Sequence, residues 1–181
     1  RFWPVVMRNL LVWKKLAGAS ILGNIAEPLI TLVAFGYGVG ALVGQIDGLP
    51  YIQYLASGSV AASAALAATF EALYSAYSRM AVQKTWDSIL NAPIALDDIV
   101  FAEMLWAAIK ALFSCTAILV VIFALGISRA PSMLLALPVL GLAGVTFASL
   151  ALVFNALAKG YDFFTYYFTL VITPMTFLSG V

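Results

Sequence analysis

Hydrophobic runs long enough to cross a membrane dominate this chain, and short polar segments separate them. A helix that crosses the hydrocarbon core of a bilayer needs about 20 mainly apolar residues. Five runs meet that requirement: Ser20–Val43, Tyr54–Tyr74, Ile99–Leu125, Met133–Ala158 and Phe163 to the end of the sequence. The pattern predicts an all-α fold, a polytopic membrane helix bundle with five spans in a single transmembrane domain over residues 1–181.

Composition supports this prediction and excludes several kinds of function. The 181 residues are 64% hydrophobic and only 9% charged, whereas soluble domains are about 25% charged. The sequence has no His, which excludes Ser-His-Asp triads and His-ligated metal sites. It has no Gly-rich phosphate loop, and its net charge of +1 argues against nucleic-acid binding. Cys115 is the single cysteine and cannot form an internal disulfide.

The distribution of basic residues predicts the orientation. Seven of the nine basic residues fall in the N-terminal segment or in the loops after the second and fourth runs: Arg1, Arg8, Lys14, Lys15, Arg79, Lys84 and Lys159. Only Arg129 occupies an alternate loop. Because cytoplasmic loops are enriched in Lys and Arg, we expect the N-terminus and the 79–98 loop in the cytoplasm. We also expect a chain truncated at its C-terminus, with a sixth span beyond Val181.

The N-terminal segment, residues 1–16, is too short and too basic to span. At helical spacing one face is apolar, while Arg8, Asn9 and Lys15 lie elsewhere; the apolar face comprises Phe2, Val5, Val6, Leu10 and Trp13. This pattern predicts an amphipathic helix at the cytoplasmic interface. Such a helix is either a plain membrane anchor or one that also docks a cytoplasmic subunit.

The 79–98 loop contains a second short amphipathic segment, Trp86–Leu90. We expect Trp86, Ile89 and Leu90 to be buried, and the polar side chains to be solvated: Lys84, Asp87 and Ser88. Asn91-Ala92-Pro93 ends the segment, because the residue before proline is pushed out of the helical region. Asp97 or Asp98 is placed to cap the next helix. A short helix presented between two spans can bind a groove on a soluble partner; an ordinary surface hairpin is the alternative.

Ionisable residues within the spans are candidates for a pathway or for packing, because they are costly in lipid. Glu27 precedes Pro28, which is expected to kink the first span. Glu71 lies near the cytoplasmic end of the second span. Glu103 and Lys110 are seven residues apart and share a face of the third span, where either can pair with Glu71 or with each other through water.

Aromatic and glycine patterns mark two further segments. Six of the eight residues from Tyr161 to Phe168 are aromatic, more than an interfacial belt needs. Tyr161, Phe164, Tyr167 and Phe168 are therefore candidates either for a pathway that accommodates sugar faces or for helix packing. Glycines at four-residue spacing, at positions 36, 40 and 44, predict close helix packing in the first span.

Several of these motifs resemble a known family. The stretches that carry the resemblance are Trp86–Pro93, Leu96–Val100, Glu103–Ala107, Thr173–Met175 and Phe177–Val181. Together they are similar to permease subunits of type-2 ABC exporters, and within these to the permeases that export nodulation factors, which are lipo-chitooligosaccharides. The amphipathic N-terminus resembles the interfacial helix of the same family, so the resemblance covers nearly the whole chain.

The resemblance implies a permease of six spans that forms a homodimer in the bacterial inner membrane. It implies two copies of an ABC ATPase subunit on a separate chain, which holds ATP and Mg, while this chain binds no cofactor or metal. It implies export of an amphipathic glycolipid, lipo-oligosaccharide or polysaccharide. It also implies contact with the ATPase through the coupling loop, residues Lys84, Trp86, Asp87, Ile89, Leu90, Asn91 and Pro93.

Other functions remain alternatives from the residues alone. A permease of this architecture could instead export drugs or other small molecules. An ion-driven secondary transporter would show internal repeats and paired broken helices, and only Pro28 and Pro174 suggest breaks. An intramembrane enzyme would need carboxylates to hold a divalent metal, for which Asp97 and Asp98 are the candidates.

Overall fold

The computed structural model describes residues 1–46 and 48–179, without the side chains of five residues in its second helix: Gly23, Asn24, Ile25, Glu27 and Pro28. The chain is mostly helical, at 85%. In the described part the α-helices are α1 (Trp3–Lys15), α2 (Ala17–Thr31), α3 (Gly40–Val43), α4 (Tyr51–Phe70), α5 (Thr85–Leu90), α6 (Leu96–Ala124), α7 (Ala136–Leu157), α8 (Phe164–Tyr167) and α9 (Thr173–Leu178). Wider π-helical turns occupy Leu32–Val39, Glu71–Ser75, Ser78–Val82 and Phe168–Ile172, and 3-10 turns occupy Pro131–Leu135 and Tyr161–Phe163.

Three described helices are long and apolar enough to cross a membrane. They run over Tyr51–Val82, Leu96–Ala124 and Pro131–Leu157, which correspond to the second, third and fourth predicted spans. The first predicted span is helical through α2, a π-helical segment and α3, with Leu29–Val43 as its shorter apolar stretch. The fifth is helical through α8 and α9. The five-span count and the orientation stay predictions.

Helix α6 lies at the centre of the bundle and contacts α1, α2, α4 and α7. Its buried positions include several alanines, Ala102, Ala107, Ala108 and Ala111. Small side chains let helix backbones approach closely where lipid supplies no hydrophobic driving force between helices. On α7, a Cβ added to Gly144 would lie 3.2 Å from the Ala111 Cβ, so α6 and α7 are packed nearly backbone to backbone.

The glycine pattern of the first span serves helix packing, as predicted. A Cβ added to Gly36 would lie 2.7 Å from Cγ1 of Ile52 in α4, and one at Gly40 would lie 3.3 Å from the Tyr51 ring. Gly44 has a different role. Its φ of +73° ends α3 in a conformation that side chains disfavour, and the chain turns there toward α4.

A short β-hairpin departs from the all-α prediction. Gln45–Ile46 (β1) pairs antiparallel with Leu49–Pro50 (β2) in the connection between α3 and α4. The two-residue strands leave the architecture a helix bundle, and the hairpin was not predicted because its strands are too short to show alternation.

Helix α4 continues after Phe70 into the π-helical turn Glu71–Ser75, which packs beside α7. Asn155 of α7 is buried and its Nδ2 donates to the Ala72 carbonyl at 2.7 Å and to the Leu73 carbonyl at 3.2 Å. Buried backbone carbonyls need hydrogen-bond partners, and a change from i→i−4 to i→i−5 bonding alters which partners they have. The amide of Asn155 therefore stabilises the π-helical turn at Glu71–Ser75.

The N-terminal helix is amphipathic as predicted, but its predicted apolar face contacts protein. This face packs on α6 beside Ala102 and Trp106, through Phe2, Val5, Val6, Leu10 and Trp13. Trp3 and Leu11 lie on the opposite side and are exposed. The prediction that Asn9 lies away from the buried face is wrong: Asn9 is buried because it meets a carboxylate of α6.

Candidate functional site

The carboxylate of Glu103 joins three separate elements at one point of the bundle. Glu103 lies on α6 and only 1% of its surface is exposed. It accepts hydrogen bonds from Nδ2 of Asn9 in α1 at 3.2 Å, Nε of Arg79 at 2.9 Å and Nε1 of Trp86 in α5 at 3.3 Å. A buried carboxylate is stable only when such donors replace water, so its position fixes α1, α5 and the end of the second span relative to α6.

A second buried carboxylate, Glu71, lies beside the first and shares Arg79 with it. Glu71 is 4% exposed and accepts from Nη2 of Arg79 at 2.9 Å. Nε1 of Trp106 and Nζ of Lys110, both on α6, donate to it at 2.9 and 2.8 Å. Each carboxylate is thus held by a charged donor and an indole N–H.

Arg79 is the centre of this network because one guanidinium bridges both carboxylates. Its planar fork presents several N–H donors in fixed directions, which a lysine ammonium does not. In an α-helix, residue 79 would lie about 80° around the axis from residue 71. The π-helical turns between them alter that rotation, and they place Arg79 against Glu71.

The predicted ionic residues come together, though not in every predicted combination. Lys110 pairs with Glu71 across the helices, as one predicted alternative stated. Glu103 and Lys110 each have an ion-pair partner, and the partner of Glu103 is Arg79. The side chain of Glu27 lies outside the described residues.

Helix α5 has one face against this network and another toward solvent. Trp86 is buried, with 8% of its surface exposed, and Ile89 is half-buried against two core clusters. The predicted short helix and the burial of Trp86 are confirmed. The predicted burial of Leu90 is wrong: it is 42% exposed, because the inward side of this six-residue helix is already filled by Trp86 and Ile89. The exposed residues are Lys84, Asp87, Ser88, Leu90, Asn91 and Pro93.

Hydrogen bonds hold the chain on both sides of α5. Lys84 has a φ of +49°, and its carbonyl accepts from the Ser88 backbone N–H at 3.3 Å. After the helix ends at Leu90, the Pro93 carbonyl accepts from Nη1 of Arg1 at 2.9 Å. The carboxylate of Asp98 accepts from the Ala95 N–H at 3.4 Å, so the predicted cap on the next helix is confirmed for Asp98.

The aromatic segment divides into packing residues and surface residues. Phe164 and Tyr167 are fully buried; Phe164 makes an edge contact with Tyr77 at 5.3 Å. These two belong to helix packing. Tyr161 is exposed and lies parallel to the Tyr74 ring at 6.1 Å, and Phe168 is half-buried.

Asp97 and Asp98 do not form a metal centre with their neighbours in the structure. Among the described residues no group of three or more His, Cys, Asp or Glu side chains could hold a metal ion. The arrangement at Glu71 and Glu103 has a different chemistry: both carboxylates are ion-paired to Arg79 or Lys110 and also accept hydrogen bonds from indole N–H groups.

Sequence reasoning did not assign Asn9 and Trp106 to the site. Asn9 was expected to lie away from the apolar face of the N-terminal helix, and its burial depends on Glu103, which is distant in the sequence. Trp106 follows Glu103 by three residues and is nearly fully buried, with its ring against the network. Its aromatic character alone indicated packing.

Comparison with known proteins identifies the family. A family model described as ABC-2 type transporter matches residues 1–181. The chain belongs to the ABC-2 type transporter family. It is 51% identical to Nodulation protein J of Sinorhizobium fredii and 52% identical to that of Rhizobium meliloti, each over 98% of this chain and 68% of the relative. Nodulation protein J of Azorhizobium caulinodans is 37% identical over 99% of this chain and 71% of the relative. No solved structure matches the chain.

Membership of the ABC-2 family confirms the resemblance drawn from the coupling-loop and fifth-span motifs. This chain is a membrane permease of an ABC exporter, a transport component rather than an enzyme. The family implies an ATPase partner for the permease. The buried network thus lies in a transport component of the membrane.

Proposed function

We propose that this chain is the permease of an ATP-driven exporter in the bacterial inner membrane, and that α5 is its coupling helix. Two copies of the permease form a homodimer with two ATPase subunits, which hold ATP and Mg. The cargo is an amphipathic glycolipid, lipo-oligosaccharide or polysaccharide. The observation that carries this proposal is the attachment of α5 to the buried ion network through Trp86 and Glu103.

The two faces of α5 suit a coupling role. The exposed face offers Lys84, Asp87 and Leu90 to a partner groove, a mixture of charged and apolar side chains that gives both orientation and contact area. The inner face inserts Trp86 between α6 and the end of the second span. Motion of a docked subunit therefore reaches Glu103 directly.

The network offers a route from α5 to the spanning helices. Glu103 belongs to α6, Arg79 lies in the last π-helical turn of the helix Tyr51–Val82, and Asn9 belongs to α1. A displacement of Trp86 changes the donors of Glu103, and Arg79 transmits the change to Glu71. The π-helical turns at Glu71–Ser75 are the part of that helix where i→i−4 bonding is already replaced, so they serve as its hinge.

The proposed cargo class rests on similarity and on the surface aromatics. The similar proteins carry the name Nodulation protein J, and the motifs resemble permeases for lipo-chitooligosaccharides. Tyr161 and Tyr74 present ring surfaces beside the network, and aromatic faces pack on the C–H faces of sugars. An acyl chain of the same cargo would match the apolar surroundings.

The coupling assignment is tested by charge reversal on α5. The full-length permease is co-expressed with its tagged ATPase subunit, and co-purification and transport are measured. We expect Lys84→Glu and Leu90→Asp to reduce recovery of the complex. Lys159→Glu is the matched control, since Lys159 is exposed and lies in another loop of the predicted cytoplasmic face. Intact assembly and transport in the Lys84→Glu/Leu90→Asp double variant would show the assignment to be wrong.

A further inference from the structure

Two cavities meet at the buried ion network and differ in character. The first, about 390 Å³, is lined by α1, α6 and the end of the second span and contains the side chains of Arg8, Arg79 and Lys110. The second, about 770 Å³, lies between α4, α6 and the first span, and its lining is mostly apolar with several serines. The cavities share Glu71, Tyr74, Ser75 and Lys110 in their linings, so they adjoin each other at these residues.

The first cavity carries an excess of positive charge. Arg8, Arg79 and Lys110 are three cations, against the two carboxylates of Glu71 and Glu103, which leaves one positive charge in excess. Arg79 and Lys110 are paired to those carboxylates. Arg8 has no carboxylate within ion-pair distance among the described residues, and its Nη1 donates to the amide oxygen of Asn9 at 3.0 Å.

Arg8 is placed where an anionic ligand would stabilise it. Burial, and then the positive charge of Arg79, lower the pKa of the Arg8 guanidinium, and the charge of Glu103 acts in the opposite direction. An anion beside Arg8 would offset both effects, because hydrogen bonds between a guanidinium and an anion are short and strong. Lys110 has three donors, and one of them is used by Glu71.

The second cavity has the shape and chemistry for a hydrocarbon chain. Its wall includes Phe35, Leu55, Leu66, Phe70 and Ile118. The hydroxyls of Ser63 and Ser114 lie 2.8 Å apart and Ser59 donates to the Leu55 carbonyl, so three of its serines already have partners. An apolar chain therefore leaves none of these three hydroxyls without a hydrogen bond.

We propose that these two adjoining cavities together bind an anionic phospholipid of the bilayer, with its headgroup at Arg8 and Lys110 and an acyl chain in the second cavity. Basic pockets between membrane helices on the cytoplasmic side are suited to anionic headgroups. Val12 and Leu16 line the first cavity and are also exposed, which gives the mouth of this cavity an apolar surface. The site shares Arg79 and Glu71 with the proposed coupling route, but lipid binding is measured without the ATPase, so its failure is distinguishable from failure of the coupling role.

The test measures binding of three probes to the full-length protein in detergent by native mass spectrometry. The probes are dioleoyl phosphatidylglycerol, dioleoyl phosphatidylcholine and glycerol 3-phosphate. We expect phosphatidylglycerol to bind about tenfold or more tightly than phosphatidylcholine, whose choline cation offsets the phosphate charge, and than glycerol 3-phosphate, which has no acyl chain to bury. Equal affinity for phosphatidylcholine would overturn the headgroup assignment, and equal affinity for glycerol 3-phosphate would overturn the acyl-chain assignment.

Matched variants locate the site. Arg8→Gln should weaken phosphatidylglycerol binding about tenfold, while Lys15→Gln, an exposed position on the same helix, should not. Ala62→Phe should fill the second cavity and weaken binding, whereas Ala61→Phe at the exposed neighbouring position should not. If Ala62→Phe fails to fold, the difference in phosphatidylglycerol binding between Arg8→Gln and Lys15→Gln decides whether the lipid binds at this site. Wild-type binding by Arg8→Gln would overturn the proposal.

Discussion

The indole Nε1 of Trp86 lies 3.3 Å from Oε1 of Glu103, and this bond joins the short helix α5 to the central helix of the bundle. Trp86 is the most buried residue of α5, and Glu103 is almost fully enclosed. A hydrogen bond to a charged acceptor in such surroundings contributes about 1.5–3 kcal/mol. The bond is therefore a principal attachment of α5 to the membrane domain.

Removing the indole donor should loosen α5. Trp86→Phe keeps an aromatic ring and removes the N–H, so Glu103 loses one of its donors. We expect amide hydrogen exchange over residues 85–90 to rise about tenfold or more, from the loss of a charge-assisted bond. The measurement is exchange mass spectrometry of the full-length protein in nanodiscs. Trp3→Phe, at an exposed position of α1, is the control, and unchanged exchange in Trp86→Phe would contradict the attachment.

Removing the bridging guanidinium should destabilise the domain strongly. Arg79→Met leaves buried Glu103 without its cation, while Glu71 keeps Lys110, and breaking a buried pair in this way costs about 3–5 kcal/mol. The Arg79→Met/Glu103→Gln double variant should recover part of the loss, because it removes one unpaired charge. The free energy of unfolding is measured by detergent denaturation. If the effects of Arg79→Met and Glu103→Gln on the free energy of unfolding simply add, the two residues are not coupled through an ion pair. Lys84→Met, at an exposed position, is the control.

The amide of Asn155 should stabilise the π-helical turn of the second span. Asn155→Ala removes the donor to the Ala72 and Leu73 carbonyls and should lower the free energy of unfolding by about 1–3 kcal/mol. Amide exchange around residues 72–77 should rise with it. Thr146→Ala on the same helix, where the hydroxyl bonds its own helix and is exposed, should have little effect. Equal effects of the two variants would show that Asn155 does not act on the π-helical turn.

Two glycines of the first span offer a matched test of helix packing. Gly36→Ala places a Cβ 2.7 Å from Ile52, whereas at Gly38 no atom lies within 4 Å of an added Cβ. We expect Gly36→Ala to be less stable than Gly38→Ala by about 1–3 kcal/mol, the usual cost of overpacking. Addition of Ile52→Ala, which removes the Cγ1 and Cδ1 atoms that the new Cβ would meet, should reduce that difference. Equal stability of the two alanine variants would contradict close packing at Gly36.

The sequence was sufficient for the helices and insufficient for their contacts. Hydrophobic length located the three long spans, and the proline after Asn91 located the end of α5. The partners of Glu103 could not be derived, because they depend on how α1 and the π-helical turns sit against α6. Asn9 illustrates the difficulty: its burial follows from a carboxylate 94 positions away. Leu90 was predicted to be buried and is exposed, because helical spacing predicts which residues share a face of a helix but not how much of that face a neighbouring helix covers.

In the proposed mechanism, Trp86 transmits motion from a docked ATPase to the ion network. The most direct measurement is transport per ATP hydrolysed, in proteoliposomes that contain the full-length permease and its ATPase. For Trp86→Phe we predict a complex that assembles and hydrolyses ATP but moves several-fold less cargo per ATP than wild type. Cargo moved per ATP equal to wild type, in a complex that assembles normally, would contradict the claim.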